Sequence, residues 1–247
     1  MRRYALATVL GLLLTVSAVN AQDAFDIQKR VYQNALKNYD LQTATYALYQ
    51  MIALKPEKTE LNDSLAILYF AGERYGQAYL VGEQILRNTP NRTDILELVA
   101  VSKQNLGMIK ESLADYEKLY GQEKSLYYLY QIATLQYQLK RYGECVSSLD
   151  QIISNPESAK QKVNIVVQGG SQDVPMAAAA LNVKGICAME LNQEEAAKDN
   201  FGKALQIYPE FALAKGNLDM INQKAKQPAT KTPAPATTKP ATTTSPK

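Results

Sequence analysis

An all-α solenoid of stacked helix pairs is the fold class that the sequence predicts, and three observations predict it. Amphipathic segments end on proline at a recurring interval: TATYALYQMIALKP on Pro56, GQAYLVGEQILRNTP on Pro90 and EAAKDNFGKALQIYP on Pro209, the first two prolines lying 34 residues apart. Apolar residues recur at i, i+3 or i+4 and i+7, as at Leu65, Leu68 and Tyr69, so each segment has one face to bury and needs a neighbour. Self-similarity at this period marks an array in which each pair covers the next, because one pair cannot bury its own apolar face.

Met1-Arg2-Arg3, the apolar run from Tyr4 to Val19 and the small residues around Ala21 form the three parts of a secretory signal, so residues 1–21 are expected to be removed. The run falls short of the roughly 20 apolar residues that span a bilayer, and no cysteine follows Ala21 directly to take a lipid. Residues 22–225 are expected to form the solenoid. Within it the period breaks between Pro156 and Ala178, where Val163, Ile165 and Val167 alternate with Asn164 and Gln168, and Gly169-Gly170 makes a two-residue turn. This predicts an inserted β-hairpin at about 162–175. Pairing Gln168 with Ser171 sets Ile165 opposite Val174 and Val167 opposite Gln172, with Val163, Ile165, Val167 and Val174 on one apolar face. Phe211, Ala214, Leu218 and Ile221 share a face and predict a capping helix at about 211–225. Residues 226–247 lack any aromatic or large aliphatic side chain and are expected to be a disordered, Pro/Thr-rich tail.

The recurring residues resemble the tetratricopeptide repeat. Its pattern places a large residue at position 4, Leu-Gly at 7 and 8, Tyr at 11, Ala at 20, an aromatic at 24, Ala at 27 and Pro at 32. In the last unit, Ala178 to Phe211, Leu181, Gly185, Ala188, Ala197, Phe201, Ala204 and Pro209 fall at positions 4, 8, 11, 20, 24, 27 and 32. The unit from Thr59 carries Leu65, Ala66, Tyr69, Ala78, Ile85 and Pro90, with Gly82 departing at the aromatic position. The units from Phe25, Thr93 and Leu126 match through Ala44 and Leu48, through Ala100, Ser112 and Tyr116, and through Ala133, Cys145 and Leu149. The first helix of the Phe25 unit is weak. The resemblance implies a right-handed α-α solenoid of about five pairs of antiparallel helices, with the capping helix and the hairpin added.

Composition narrows the function. The 247 residues contain no histidine, which removes Ser-His-Asp and Cys-His nucleophile systems and every imidazole metal site. Neither GxxxxGK[ST] nor GxGxxG occurs. The chain is therefore expected to be non-catalytic, with no cofactor and no metal. Of 27 basic side chains, Arg2 and Arg3 lie in the signal and Lys231, Lys239 and Lys247 beyond Gln227, which leaves 22 against 24 acidic ones and no footprint for nucleic acid.

The resemblance further implies that the first helix of each unit lines a concave groove that holds extended peptides or helices. Carried onto this chain, it points to Asp63, Ile67 and Phe70, to Glu97 and Val101, and to Tyr127, Tyr130 and Tyr137 as partner-binding residues. The three tyrosines are expected as one exposed stripe, since rigid amphipathic rings give contact area at low entropic cost. The lysine, asparagine and arginine set with which some members grip a peptide carboxylate is missing. The expected role is an interaction scaffold or adaptor in the cell envelope, in a Gram-negative periplasm or secreted, with no membrane insertion after signal cleavage. A self-associating envelope subunit, and less so a carboxylate hydrolase, are the alternatives. Cys145 and Cys187 read as small core residues; an exported protein meets an oxidising compartment, which leaves a bridge between them open, and the insertion between their units argues against it.

Overall fold

The computed structural model describes residues 22–226. Residues 1–21 and 227–247, which hold the expected signal and nearly all of the expected tail, lie outside them. Eleven α-helices occur among the described residues: α1 (22–37), α2 (Leu41–Leu54), α3 (Glu60–Ala71), α4 (Tyr75–Asn88), α5 (Thr93–Asn105), α6 (Ile109–Glu123), α7 (Leu126–Gln138), α8 (Tyr142–Ser154), α9 (Met176–Glu190), α10 (Glu194–Ile207) and α11 (Ala212–Lys226). Two strands, β1 (Lys162–Val167) and β2 (Gly170–Pro175), interrupt them after a short 3-10 turn at Pro156–Ala159. Consecutive helices pack on one another as five pairs in a solenoid, and α11 closes the end. Lys226, assigned to the tail by composition, ends α11 instead.

One backbone device recurs in every pair. Tyr39, Glu73, Gly107, Lys140 and Asn192 adopt φ values of 55°, 56°, 76°, 58° and 57°, each just after the first helix of its pair. Across each of them the next amide donates to a carbonyl five residues back: Asp40 to Ala35, Arg74 to Tyr69, Met108 to Lys103, Arg141 to Gln136 and Gln193 to Ala188, at 2.8–2.9 Å. This is the left-handed C-terminal motif that satisfies the last carbonyls of a helix and turns the chain sharply. Only one of the five residues is glycine, so four non-glycine residues tolerate left-handed backbone at the same point of the repeat.

The turn folds the second helix back onto small residues of the first. Ser112 donates to the Ala100 carbonyl at 2.8 Å where α6 crosses α5. In the last pair Gly185 plays that part, and a Cβ there would lie 2.5 Å from the fully buried Phe201 ring. The departure at Gly82 has the same cause, since a Cβ would meet Val99 of the following pair at 2.5 Å. Further along, the crossings of the third and fourth pairs are polar. Lys103 bonds Asp115 at 2.6 Å and Glu83 at 2.8 Å, and Ser148 donates to Gln136 at 2.9 Å. Burial opposes the Lys103 charge, but the two carboxylates outweigh it and lift its pKa above the ordinary lysine value. Nothing in the apolar periodicity announced these pairs, although a lysine where the preceding unit has Tyr69 was a visible departure.

The hairpin forms where expected, with one correction of register. Val163 faces Val174 and Ile165 faces Gln172, two residues out from the pairing predicted. The turn is Gln168-Gly169 rather than Gly169-Gly170, because only its second central residue needs positive φ, and Gly169 supplies it at 88°. A shift of two preserves the faces, so Val163 and Val174 still enter the core, beside Phe211 and Ala214. Gln172 fixes the hairpin to the end of the solenoid: its Nε2 donates to the Glu210 carbonyl at 2.7 Å and its Oε1 accepts from the Ala212 amide at 3.0 Å, capping α11.

Substituting Gly185→Ala should lower stability by about 1–3 kcal/mol, since the added Cβ would overlap the buried Phe201 ring and force it to shift. Gly216→Ala, at an exposed position of α11 with nothing near its Cβ, should raise it by about 0.5–1 kcal/mol. Urea denaturation of the two variants checks both signs.

Candidate partner-binding face

The candidate face is built from the first helices α3, α5, α7 and α9, which follow one another along the solenoid. On α3, Ile67 is 56% exposed, while Phe70 is half-buried and meets Tyr75 edge-on at 5.7 Å between ring centres. On α5, Val101 is half-buried, and Glu97 accepts from the Tyr128 hydroxyl at 3.1 Å. Asp63 is joined to Arg92 at 3.0 Å, and Arg92 also grips Asp94 at 2.6 Å. The guanidinium holds the Asp94 carboxyl below the usual carboxylate range. Each acid of this face thus has a partner within the protein, and Arg92 ties α3 to the start of α5. Beside them, Asp63, Gln84, Asn88 and Arg92 line an open cleft of about 200 Å³.

The tyrosine stripe of α7 does not form as expected. Tyr127 is 37% exposed and Tyr137 half-buried, but Tyr130 is only 8% exposed and belongs to the core with Cys145 of α8 and Met176 to Leu181 of α9. The expectation that Tyr130 stands on an open face is therefore corrected. The reason lies in α9, which begins nine residues before Gly185, whereas α3 begins six before Ala66 and α7 seven before Ala133. Its two or three additional residues, which start at Met176, bring that side chain and the alanines after it into the core cluster that holds Tyr130. Tyr128 is buried as well. Tyr137 and Tyr142 both donate to Glu190, at 3.5 and 3.3 Å, closing the far end of α7 against α9. On α9 itself Asn182 is buried and accepts from Asn217 of α11 at 3.0 Å. The face is consequently most open at Ile67 of α3 and Tyr127 of α7, half-buried along α5, and closed at Tyr130 of α7 and Asn182 of α9.

Burial also sets the acidity of the phenols. It pushes Tyr130 up to about 12, and it pushes Tyr69 up to about 12 with help from the hydrogen bond to Tyr49, 2.5 Å between oxygens. A free tyrosine ionises near 10, so in this range the unfolded chain loses its protons first. The stability that these rings contribute is complete below about pH 10 and declines as pH rises toward the folded values. Tyr130→Phe should make that decline shallower, by up to about 1.4 kcal/mol per pH unit. Urea titrations between pH 8 and 11 measure it, and an unchanged slope would place the Tyr130 hydroxyl in solvent.

Residues 178–211 match the family model described as a tetratricopeptide repeat. No curated protein matches the chain in sequence. Among solved structures, its fold is similar to that of YrrB, described as a TPR protein with an unusual peptide-binding site, at a TM-score of 0.58 and 16% identity over 75% of this chain and 87% of that one. It is similar also to MamA, at 0.60 and 10% identity over 77% and 95%, and to MamA from Desulfovibrio magneticus RS-1, at 0.58 and 12% over 77% and 98%.

Proposed function

Because the chain is a tetratricopeptide-repeat protein, we propose that it is a non-catalytic scaffold that captures a protein segment on the face of α3, α5 and the start of α7. The observation that carries this reading is Ile67. A large aliphatic side chain stands exposed in mid-helix, and none of the described elements covers it. Phe70 on the same helix and Val101 on α5, both half-buried, and Tyr127 on α7 add apolar surface along the first helices. Asp63 and Glu97 are held by Arg92 and Tyr128, which suits them to positioning and supports recognition rather than acid-base work. The peptide-binding site named for YrrB is a precedent on the same fold.

Panning a peptide library against the immobilised protein and against an Ile67→Ala/Tyr127→Ala variant tests the reading. Peptides enriched by the parent should bind the variant about 30-fold more weakly or worse, as truncation of interface anchors does. The variant's stability should stay within about 1 kcal/mol of the parent's. Equal binding to both would show that capture does not use this face.

The place of action proposed is the cell envelope, supported by the cationic, apolar and small-residue parts of residues 1–21. Among the described residues no helix is long and apolar enough to cross a membrane. N-terminal sequencing of the protein from its native cells should begin at Gln22, and a chain that retains Met1 would overturn the assignment.

A further inference from the structure

The two cysteines of the chain, assigned by sequence to units kept apart by the insertion, meet in the structure. Cys145 Sγ of α8 and Cys187 Sγ of α9 lie 3.4 Å apart, both fully buried in the core cluster that holds Tyr130, Val174 and Phe211. The hairpin loops out between α8 and α9 while the two helices pack directly, which is why the insertion does not separate the sulfurs. No group of three or more His, Cys, Asp or Glu side chains able to hold a metal forms among the described residues. We propose that Cys145 and Cys187 are an oxidation site, joined as an intramolecular disulfide that staples the last repeat to the four before it.

The location gives the cross-link a structural purpose. Other pairs follow one another through short connections, Lys55 to Thr59, Thr89 to Arg92 and Lys124-Ser125, whereas α8 and α9 are joined by Asn155 to Pro175. A bond between the sulfurs bypasses that long connection and lowers the entropy of the unfolded chain accordingly. The chemistry requires an oxidant that is itself a disulfide, either a thiol–disulfide oxidoreductase or oxidised glutathione. One cysteine thiolate attacks the oxidant and releases one of its sulfurs as a thiol. The second thiolate attacks the resulting mixed disulfide and releases the other, so two protein thiols are oxidised as one disulfide is reduced. In the folded protein the Cys187 sulfur, and then burial, push the Cys145 thiol up, and no solvent reaches either atom. Exchange therefore takes place before α8 and α9 close, and the finished bond is shielded from reductants.

The test uses the full chain, refolded from guanidinium either with reduced and oxidised glutathione or with excess dithiothreitol. With glutathione, the product should show no thiol titratable in denaturant and a mass lower by two hydrogens. A non-reducing peptide map should link the segments that hold Cys145 and Cys187. Its Tm should exceed that of the reduced protein by roughly 4–12 °C. The Cys145→Ala/Cys187→Ala variant should melt at the same temperature under both conditions. Two free thiols, glutathione adducts or links between chains in the oxidised sample would overturn the proposal, as would equal melting of the two wild-type samples. The oxidant is supplied in the experiment and no ligand is used, so the result is independent of cellular location and of the binding face.

Discussion

A single left-handed residue after the first helix of each pair is the constraint on which the rest of the solenoid depends. The amide-to-carbonyl bond across it sets where the second helix starts and the direction it takes, and so places small residues such as Ala100 and Gly185 under the side chains that cross them. Left-handed backbone costs roughly 1–2 kcal/mol for a residue that has a Cβ, and Tyr39, Glu73, Lys140 and Asn192 all bear it. Their tolerance shows how strongly the packing on both sides determines the turn. Since the same bond recurs in all five pairs, each pair has the same internal geometry, and like pairs stack in the same way, second helix on the next first helix. That repetition aligns α3, α5, α7 and α9 into a common face.

Within that shared frame, the contents of the crossings differ. The second pair places Tyr69 where the third places Lys103 and the fourth Gln136. The two polar residues are matched by Asp115 and Ser148, each twelve residues further along and on the facing helix. Such groups can be buried only with a partner, because an unpaired ammonium or amide in the core forfeits its hydration without return. Lys103 and Asp115 are therefore best understood as one unit, and neither is a free site for chemistry.

The insertion makes the two ends of the molecule unlike. The longer start of α9 packs with Tyr130 of α7, the hairpin seats Val163 and Val174 near Phe211, and Gln172 ties its second strand to the cap. Asn182 and Glu190 then engage α11 and the tyrosines of α7 and α8. A face that repeats along the whole array is thereby left accessible mainly at Ile67 of α3 and at Tyr127, where α7 starts. The same compaction brings Cys145 to Cys187 across a connection long enough to have kept them apart.

The number and type of elements were legible in the sequence because they arise from local regularities. The 34-residue spacing of prolines and the small residues at the crossings recur from unit to unit, and the alternation around Val163 to Val167 and the apolar face of Phe211 to Ile221 are periods of 2 and 3.6 within a short segment. Even the two-residue error in hairpin register left the buried face unchanged, because alternation fixes the face whichever turn residues are used. Exposure on the candidate face was a different matter. The spacing of Tyr127, Tyr130 and Tyr137 put them on one side of α7, but whether that side met solvent depended on how far α9 extends, a fact carried by the next repeat. The partners of Lys103, the role of Gln172 and the meeting of the cysteines were likewise decided in space, since each joins separate elements. The sequence by itself thus determined the repeat and its helices, whose causes lie within one segment, and the tertiary structure alone decided which side chains are open, paired or in contact, because burial is set by neighbours that no single segment contains.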